Sequence, residues 1–213
     1  MREFIINKND AGQRLDRFLT KQGLPISAIM KAIRKKDIKV NGKRGQADYK
    51  LTEGDIIRAY LTVNANNPPK KFEGISTNIN IVYEDDNIIL IDKPVGLLCH
   101  DGQNSLIDRI KAYLYKKGEF DPEAEQSFEP SLCNRIDRNT AGIVIAAKNA
   151  ESLRVMNEKI KLRQVKKLYL CILTKVPEKR EGTLTAYLQK DESANTVTVS
   201  NKKNEDNKQR LWK

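Results

Sequence analysis

The chain has 213 residues, 39% of them hydrophobic and 31% charged, a balance that supports one large folded domain or a small one plus a medium one. Its formal charge is +11 and its pI about 9.5, which points to a polyanionic partner, nucleic acid first and acidic membrane second. No apolar run reaches the roughly 18 residues of a transmembrane helix, the first residues lack the basic-then-apolar layout of a secretion signal, and the scattered Cys99, Cys133 and Cys171 with the single His100 exclude a disulfide framework, a zinc site of paired cysteines and a histidine metal cluster, so a reducing, cytoplasmic setting is expected.

The charge is uneven. Residues 1–62 carry 14 Lys/Arg against 7 Asp/Glu, whereas the remaining 151 residues carry 25 against 21. In this first third, Asp10-Ala-Gly is expected to start a helix with Leu15, Phe18 and Leu19 at i, i+3, i+4 spacing and Arg14 and Arg17 between them. Pro25-Ile-Ser27 breaks the chain, with Ser27 as the expected N-cap of a second helix, Ala28 to Lys36. Its Ile29 and Ile33 point one way and Lys31, Arg34 and Lys35 another. A short strand, Ile38 to Val40, reaches a tight turn at Asn41-Gly42, a pair suited to positive φ, and a last strand spans Asp55 to Leu61. The order Arg-Leu-Asp-x-Phe-Leu, helix, Val-Asn-Gly, Gly-Asp-x-Ile resembles the S4-type RNA-binding domain. The resemblance implies that Arg14, Arg17, Lys31, Arg34 and Lys35 meet RNA phosphates. Read without it, the same residues are the solvated face of amphipathic helices. Phosphate contacts of this kind give affinity that falls with salt and little sequence choice.

Residues 63–75, rich in Asn, Pro and Lys, read as a linker, with Pro68-Pro69 favouring an extended spacer. Beyond it, Ile79 to Asp86 and Ile88 to Ile91 form a hairpin pattern around an acidic turn. Lys93, in Asp92-Lys-Pro-Val-Gly96, is either a functional cation or a structural residue of a Pro-Gly turn. His100 reads as a loop residue rather than a general base. Asn104 to Lys117 is an amphipathic helix with a stripe of Leu106, Ile110, Tyr113 and Leu114, capped by Asn104 or Ser105 and ended by Gly118. An acidic loop, 119–130, follows.

The next stretch, Ser131 to Lys148, sets one carboxylate, Asp137, between Arg135 and Arg138, then a turn-forming Asn-Thr-Ala-Gly and a buried-strand pattern from Ile143 to Ala147. Flanking guanidiniums favour the ionised carboxylate. In an extended segment Arg135 and Asp137 share one face while Ile136 anchors the other. Taken alone, Arg-x-Asp-Arg is also the composition of a surface ion-pair cluster. Asn134-Arg-Ile-Asp-Arg-Asn-Thr-Ala-Gly142 resembles the central motif, His-Arg-Leu-Asp-Arg-x-Thr-Ser-Gly, of the RNA pseudouridine synthases of the large-subunit ribosomal type. It departs from that motif at Asn134, Ile136 and Ala141. Tyr83-Glu-Asp-Asp and Asp92-Lys-Pro-x-Gly96 resemble the opening of the same domain. The resemblance implies that Asp137 is the nucleophile, that Arg135 fills the space of a flipped uridine and that Arg138 helps bind substrate.

Asn149 is expected to cap a helix with Leu153, Met156 and Ile160 facing in, and Val165 to Leu173 to form a strand. Lys167-Leu-Tyr169 within it resembles the family's Lys-x-Tyr motif, which implies a stacking ring at Tyr169 and a substrate-binding cation at Lys167. An ordinary strand pair, Tyr inward and Lys snorkelling, is the other reading. Thr183 to Leu188 and Thr196 to Val199 read as further strands. The family's third motif, Gly-Arg-x-His-Gln-Ile-Arg in type, has no counterpart before Lys213, so a truncated synthase is expected.

The expected architecture is therefore α+β: an S4-type RNA-binding domain (1–62), a linker (63–75) and a catalytic domain (76–213) on a mixed, mostly antiparallel sheet with flanking helices. The expected function is isomerisation of specific uridines in RNA, ribosomal most of all and transfer RNA as the other candidate, with no cofactor and no metal. A non-catalytic binder of structured RNA is the rival expectation.

Overall fold

The computed structural model describes residues 1–60, 72–178, 181–191, 196–200 and 208–212. These form two compact units, Met1–Lys166 and Lys167–Lys213. Among the described residues no helix is long and apolar enough to cross a membrane. The expected linker lies mostly outside the described residues.

The first unit opens with β1 (Arg2–Ile5), α1 (Leu15–Lys21), α2 (Ile26–Lys35), β2 (Ile38–Val40), β3 (Lys43–Arg44) and β4 (Ile56–Ala59). The strands make one antiparallel sheet in the order β1-β4-β2-β3. Leu15, Phe18 and Leu19 of α1 are fully buried, as their spacing predicts, with Ile29, Ala32, Ile38 and Ile57. Burying each large apolar side chain contributes about 1.5–3 kcal/mol. Asn41 (φ 50°) and Gly42 (φ 76°) make the expected left-handed turn between β2 and β3.

Two expected helix starts differ. Asp10 does not begin α1; it lies fully buried in a turn, and the helix starts five residues later. Ser27 does not cap α2. Pro25 occupies the cap position, because its fixed φ already suits helix entry, and Ser27 falls inside the first turn.

The rest of the first unit contains β5 (Ile81–Glu84), β6 (Ile88–Lys93), α3 (Leu106–Lys117), β7 (Ser131–Leu132), β8 (Gly142–Ala147) and α4 (Ala150–Lys161). The antiparallel order β5-β6-β8-β7 puts the apolar run of β8 inside the sheet. Asp85 closes the β5–β6 hairpin by accepting the amides of Asn87 and Ile88, both at 2.8 Å. Ser105 and Asp108 form a capping box at the start of α3, and Gly118 (φ 80°) ends it. Ile89, Ile91, Leu106, Ile110, Leu114, Val144 and Ala146 make a second core that shares no residue with the first. Glu84 ties β5 to α3 and to the end of β8, accepting from Tyr113 Oη (2.9 Å), Lys117 Nζ (2.9 Å) and Lys148 Nζ (3.0 Å). Asn149 caps α4 through the Ser152 amide at 2.9 Å, and Leu153, Met156 and Ile160 are half-buried on one face.

The second unit holds β9 (Leu184–Asp191), β10 (Thr196–Ser200) and β11 (Lys208–Trp212), antiparallel in the order β10-β9-β11. β9 and β10 match the two expected strands; β11 lies in a stretch too polar to announce itself. Every ladder among the described residues is antiparallel, so no parallel pair of the expected mixed sheet occurs among them. The expected strand from Val165 to Leu173 does not form. Its apolar run suits a sheet, but a strand exists only where a neighbouring edge takes up its amides and carbonyls.

Gly45 is packed so closely that an added Cβ would stand 2.9 Å from Leu15 Cδ2 and 3.2 Å from Ile38 O. Gly45→Ala is therefore expected to destabilise the N-terminal core by about 1–3 kcal/mol, read as a lowered denaturant midpoint at unchanged slope.

Candidate active site

Residues 133–142 leave the sheet and return to it. The Cys133 amide still bonds Ile145 O at 2.7 Å. At the next residue the backbone departs, and the Asn134 side chain continues the ladder in its place. Its Oδ1 accepts from the Ile145 amide (2.8 Å) and its Nδ2 donates to Ile143 O (3.3 Å). The loop then alternates as its composition predicts: Arg135 and Asp137 are exposed, and Ile136 packs partly against the second core.

The backbone around Asp137 is held at three successive carbonyls. Ile136 O accepts the Cys99 thiol at 3.3 Å, Asp137 O accepts the Thr140 amide at 3.1 Å, and Arg138 O accepts the Gly96 amide at 2.8 Å. Arg138 O also accepts from Lys93 Nζ at 3.3 Å. Lys93 is fully buried, and its ammonium donates in addition to Pro94 O and Leu97 O, both at 2.9 Å. Three donors thus meet three carbonyls. The cation staples both ends of the 94–97 turn to the Asp137 loop, and Gly96, at φ 89°, supplies the left-handed residue that this turn requires. Of the two readings of Lys93, the structural one holds.

The carboxylate of Asp137 has no side-chain hydrogen bond or ion pair among the described residues, so the expected Arg135–Asp137–Arg138 charge cluster does not form there. Arg138 turns instead to Gly96, its Nε donating to the carbonyl at 3.1 Å, because the 94–97 turn offers an acceptor beside it. Burial pushes the neighbouring Cys133 thiol up to about 11, so it stays protonated at neutral pH and is no competing nucleophile. Lys167 and Tyr169 belong to the second unit. Without the expected strand, Tyr169 is 63% exposed and its neighbours Leu170 and Ile172 wholly so.

The basic candidates are exposed on the N-terminal core. Lys31, Arg34 and Lys35 stand on one face of α2, and Arg17 stands on α1. Arg14 is already occupied: its Nη2 and Nε reach Asp16 at 2.6 and 3.1 Å, and the guanidinium holds the Asp16 carboxyl below its usual range. A further basic row went unread in the sequence. Sheet register puts Arg44, Lys39 and Arg58 side by side across β3, β2 and β4, with Glu3 of β1 ion-paired to Arg58 at 2.6 Å. Only strand pairing brings these residues together. The signal available in the sequence was the alternation of basic and apolar residues in Ile38-Lys-Val and Ile57-Arg-Ala.

A sequence profile described as RNA pseudouridylate synthase matches residues 87–213. An uncharacterised RNA pseudouridine synthase of Mycoplasma capricolum is 41% identical over 180 residues, covering 81% of this chain and 59% of that protein. The ribosomal large subunit pseudouridine synthase C of Haemophilus ducreyi is 34% identical, covering 89% of this chain and 59% of its own. That of Escherichia coli is 32% identical over 79% and 53%. The chain therefore spans less than two thirds of the length of these curated relatives. A solved human RNA pseudouridylate synthase domain-containing protein gives a TM-score of 0.48 at 19% identity, over 68% of this chain and 52% of that one.

Lys93→Met removes the buried ammonium and leaves the Pro94, Leu97 and Arg138 carbonyls without that donor. A stability loss of at least about 2 kcal/mol is expected, seen in chemical denaturation, with faster amide exchange at Gly96 and Thr140.

Proposed function

The chain belongs to the RNA pseudouridylate synthase family, and we propose that it converts specific uridines of RNA, ribosomal RNA first, to pseudouridine, with Asp137 as the nucleophile. The observation that carries this reading is an exposed carboxylate whose backbone is fixed at three consecutive carbonyls while its own oxygens are uncommitted among the described residues. Such a group is placed without being spent on a structural bond, as a nucleophile needs to be.

The reaction balances without any added redox partner. The bond from base N1 to sugar C1′ breaks, the base rotates, C5 bonds to C1′, the C5 hydrogen leaves as a proton and N1 regains one. The carboxylate attacks the sugar or the base, or assists cleavage, and is released unchanged. A stacked uridine must first leave its helix, at a cost of roughly a few kcal/mol. Exposed Arg135 is assigned to the space it vacates. Arg138, with Nε already given to Gly96, keeps its terminal nitrogens for substrate phosphate. The roles of Tyr169 as a stacking ring and Lys167 as a substrate-binding cation rest on the Lys-x-Tyr motif.

Residues 1–62 act as the RNA-binding domain, 63–75 as the linker and 76–213 as the catalytic domain. Arg17, Lys31, Arg34 and Lys35 contact phosphates, with Arg14 joining when a phosphate displaces Asp16. The relatives named for the large ribosomal subunit support ribosomal RNA as the substrate.

Asp137→Asn is expected to reduce tritium release from RNA containing 5-tritiated uridine to background while leaving RNA affinity within about twofold; full release by the variant would overturn the assignment. The Arg44–Lys39–Arg58 row makes a prediction of opposite signs. Like charges directly opposite cost roughly 0.2–1 kcal/mol per pair, so Lys39→Glu is expected to raise the melting temperature by about 2–4 °C. The same change is expected to weaken RNA binding and flatten its dependence on log salt by about one unit of slope, measured by filter binding across a salt series.

A further inference from the structure

The two cores of the first unit share no apolar residue, and a set of polar contacts runs between them, beside the buried Phe128. Residues 121–130 run along the N-terminal core. Gln22 Nε2 donates to Gln126 O and Gln126 Nε2 to Ile5 O, both at 2.6 Å. Lys21 Nζ donates to Ser127 O at 3.2 Å, Gln13 Nε2 to Ser127 Oγ at 2.7 Å, and Asn9 Nδ2 to Glu125 Oε1 at 2.8 Å. From α4, Arg154 Nη1 donates to Ala11 O at 2.9 Å and the Ala150 amide to Asn9 Oδ1 at 3.3 Å.

At the centre is Asp10, fully buried, its Oδ1 taking the Ser127 hydroxyl and, at 3.2 Å, Gln13 Nε2. Asp10 Oδ2, Glu125 Oε2 and Gln126 Oε1 are buried with no hydrogen-bond partner. The junction therefore encloses two mutually repelling carboxylates and more acceptors than donors. Lys21 is the cation that faces Asp10. The other charged groups are Asp121, Glu123 and Glu129 on the segment itself, the last paired with Lys111 of α3, Arg154 on α4, and the exposed Lys8–Glu151 pair at 3.7 Å.

We propose that this junction is a proton-linked latch: a proton taken up by the Asp10–Glu125 pair tightens the hold of the N-terminal core on residues 121–130, and its release loosens that hold. Protonation removes the repulsion and brings an O–H donor among unmatched acceptors. Burial pushes both carboxyls above their ordinary values of 3.8 and 4.5, and the charge of Asp10 raises Glu125 further. A group that binds its proton more tightly when docked favours docking as the pH falls. The gain grows as pH drops through the raised values and is complete below the ordinary ones. The inference is independent of the reaction, since a chain inactive on RNA would show it equally.

The test is a distance measurement by electron–electron resonance between spin labels at Glu53→Cys and Lys116→Cys, both exposed, with Cys133→Ala and Cys171→Ser in the same chain. At pH 3.5, below both ordinary values, a narrow distance distribution is expected, and at pH 8 a broad component at least threefold more populated. Asp10→Asn with Glu125→Gln keeps both oxygens that accept bonds and is expected to hold the narrow distribution at both pH values. Glu125→Gln alone, the milder change, is expected to lessen the pH response by half or more. A wild-type distribution that does not change with pH, or a response undiminished in these variants, overturns the latch.

Discussion

The buried ammonium of Lys93 is the constraint on which the candidate site depends. A cation with no carboxylate beside it among the described residues is tolerable in a core only if carbonyl dipoles surround it, and three do. Those three come from two places in the sequence, the 94–97 turn and the loop that carries Asp137. The cost of burying one charge is thereby converted into a fixed relation between two loops. Cys99 and Gly96 add their donors to the same relation, and the carboxylate is left out of it.

The N-terminal core is arranged on a different principle. Its apolar interior closes on itself, and its outer surfaces are either crowded with like charge, as along Arg44–Lys39–Arg58, or set against residues 121–130 through single hydrogen bonds. Neither arrangement is what stability alone would select. Both suit the phosphate-binding role proposed for this core.

What could be read in advance followed from local chemistry. Ser105 and Gly118 bounded α3, Asn41-Gly42 gave its turn, and the ordered motif placed Asp137 on a loop before a buried strand. The failures were of another kind. Ser27 was a sound cap by type, but Pro25 had already fixed the helix entry. Val165 to Leu173 has the apolar composition of a strand, yet pairing is a property of two segments and only one can be read at a time. Lys93 looked like a turn residue or a reactive cation because its acceptor at residue 138 lies 45 positions away. Asn134, met as a departure from a motif, proved to continue a ladder with its side chain. The Lys39 row was invisible until register set three separate strands abreast.

The apolar residues that found no strand carry a practical consequence. Leu168, Leu170, Ile172 and Val176 are each more than 90% exposed and alternate along one short segment, the composition from which intermolecular sheets are seeded. Against that stands a net charge of +11, which keeps copies apart only as far as the ionic atmosphere allows. At about 0.15 M salt that reach is roughly 8 Å, and it shortens as salt is added. The colloidal lifetime of the protein in storage is therefore governed by buffer composition: the salt used to strip nucleic acid from a preparation also removes the repulsion that keeps the chains from sticking to one another.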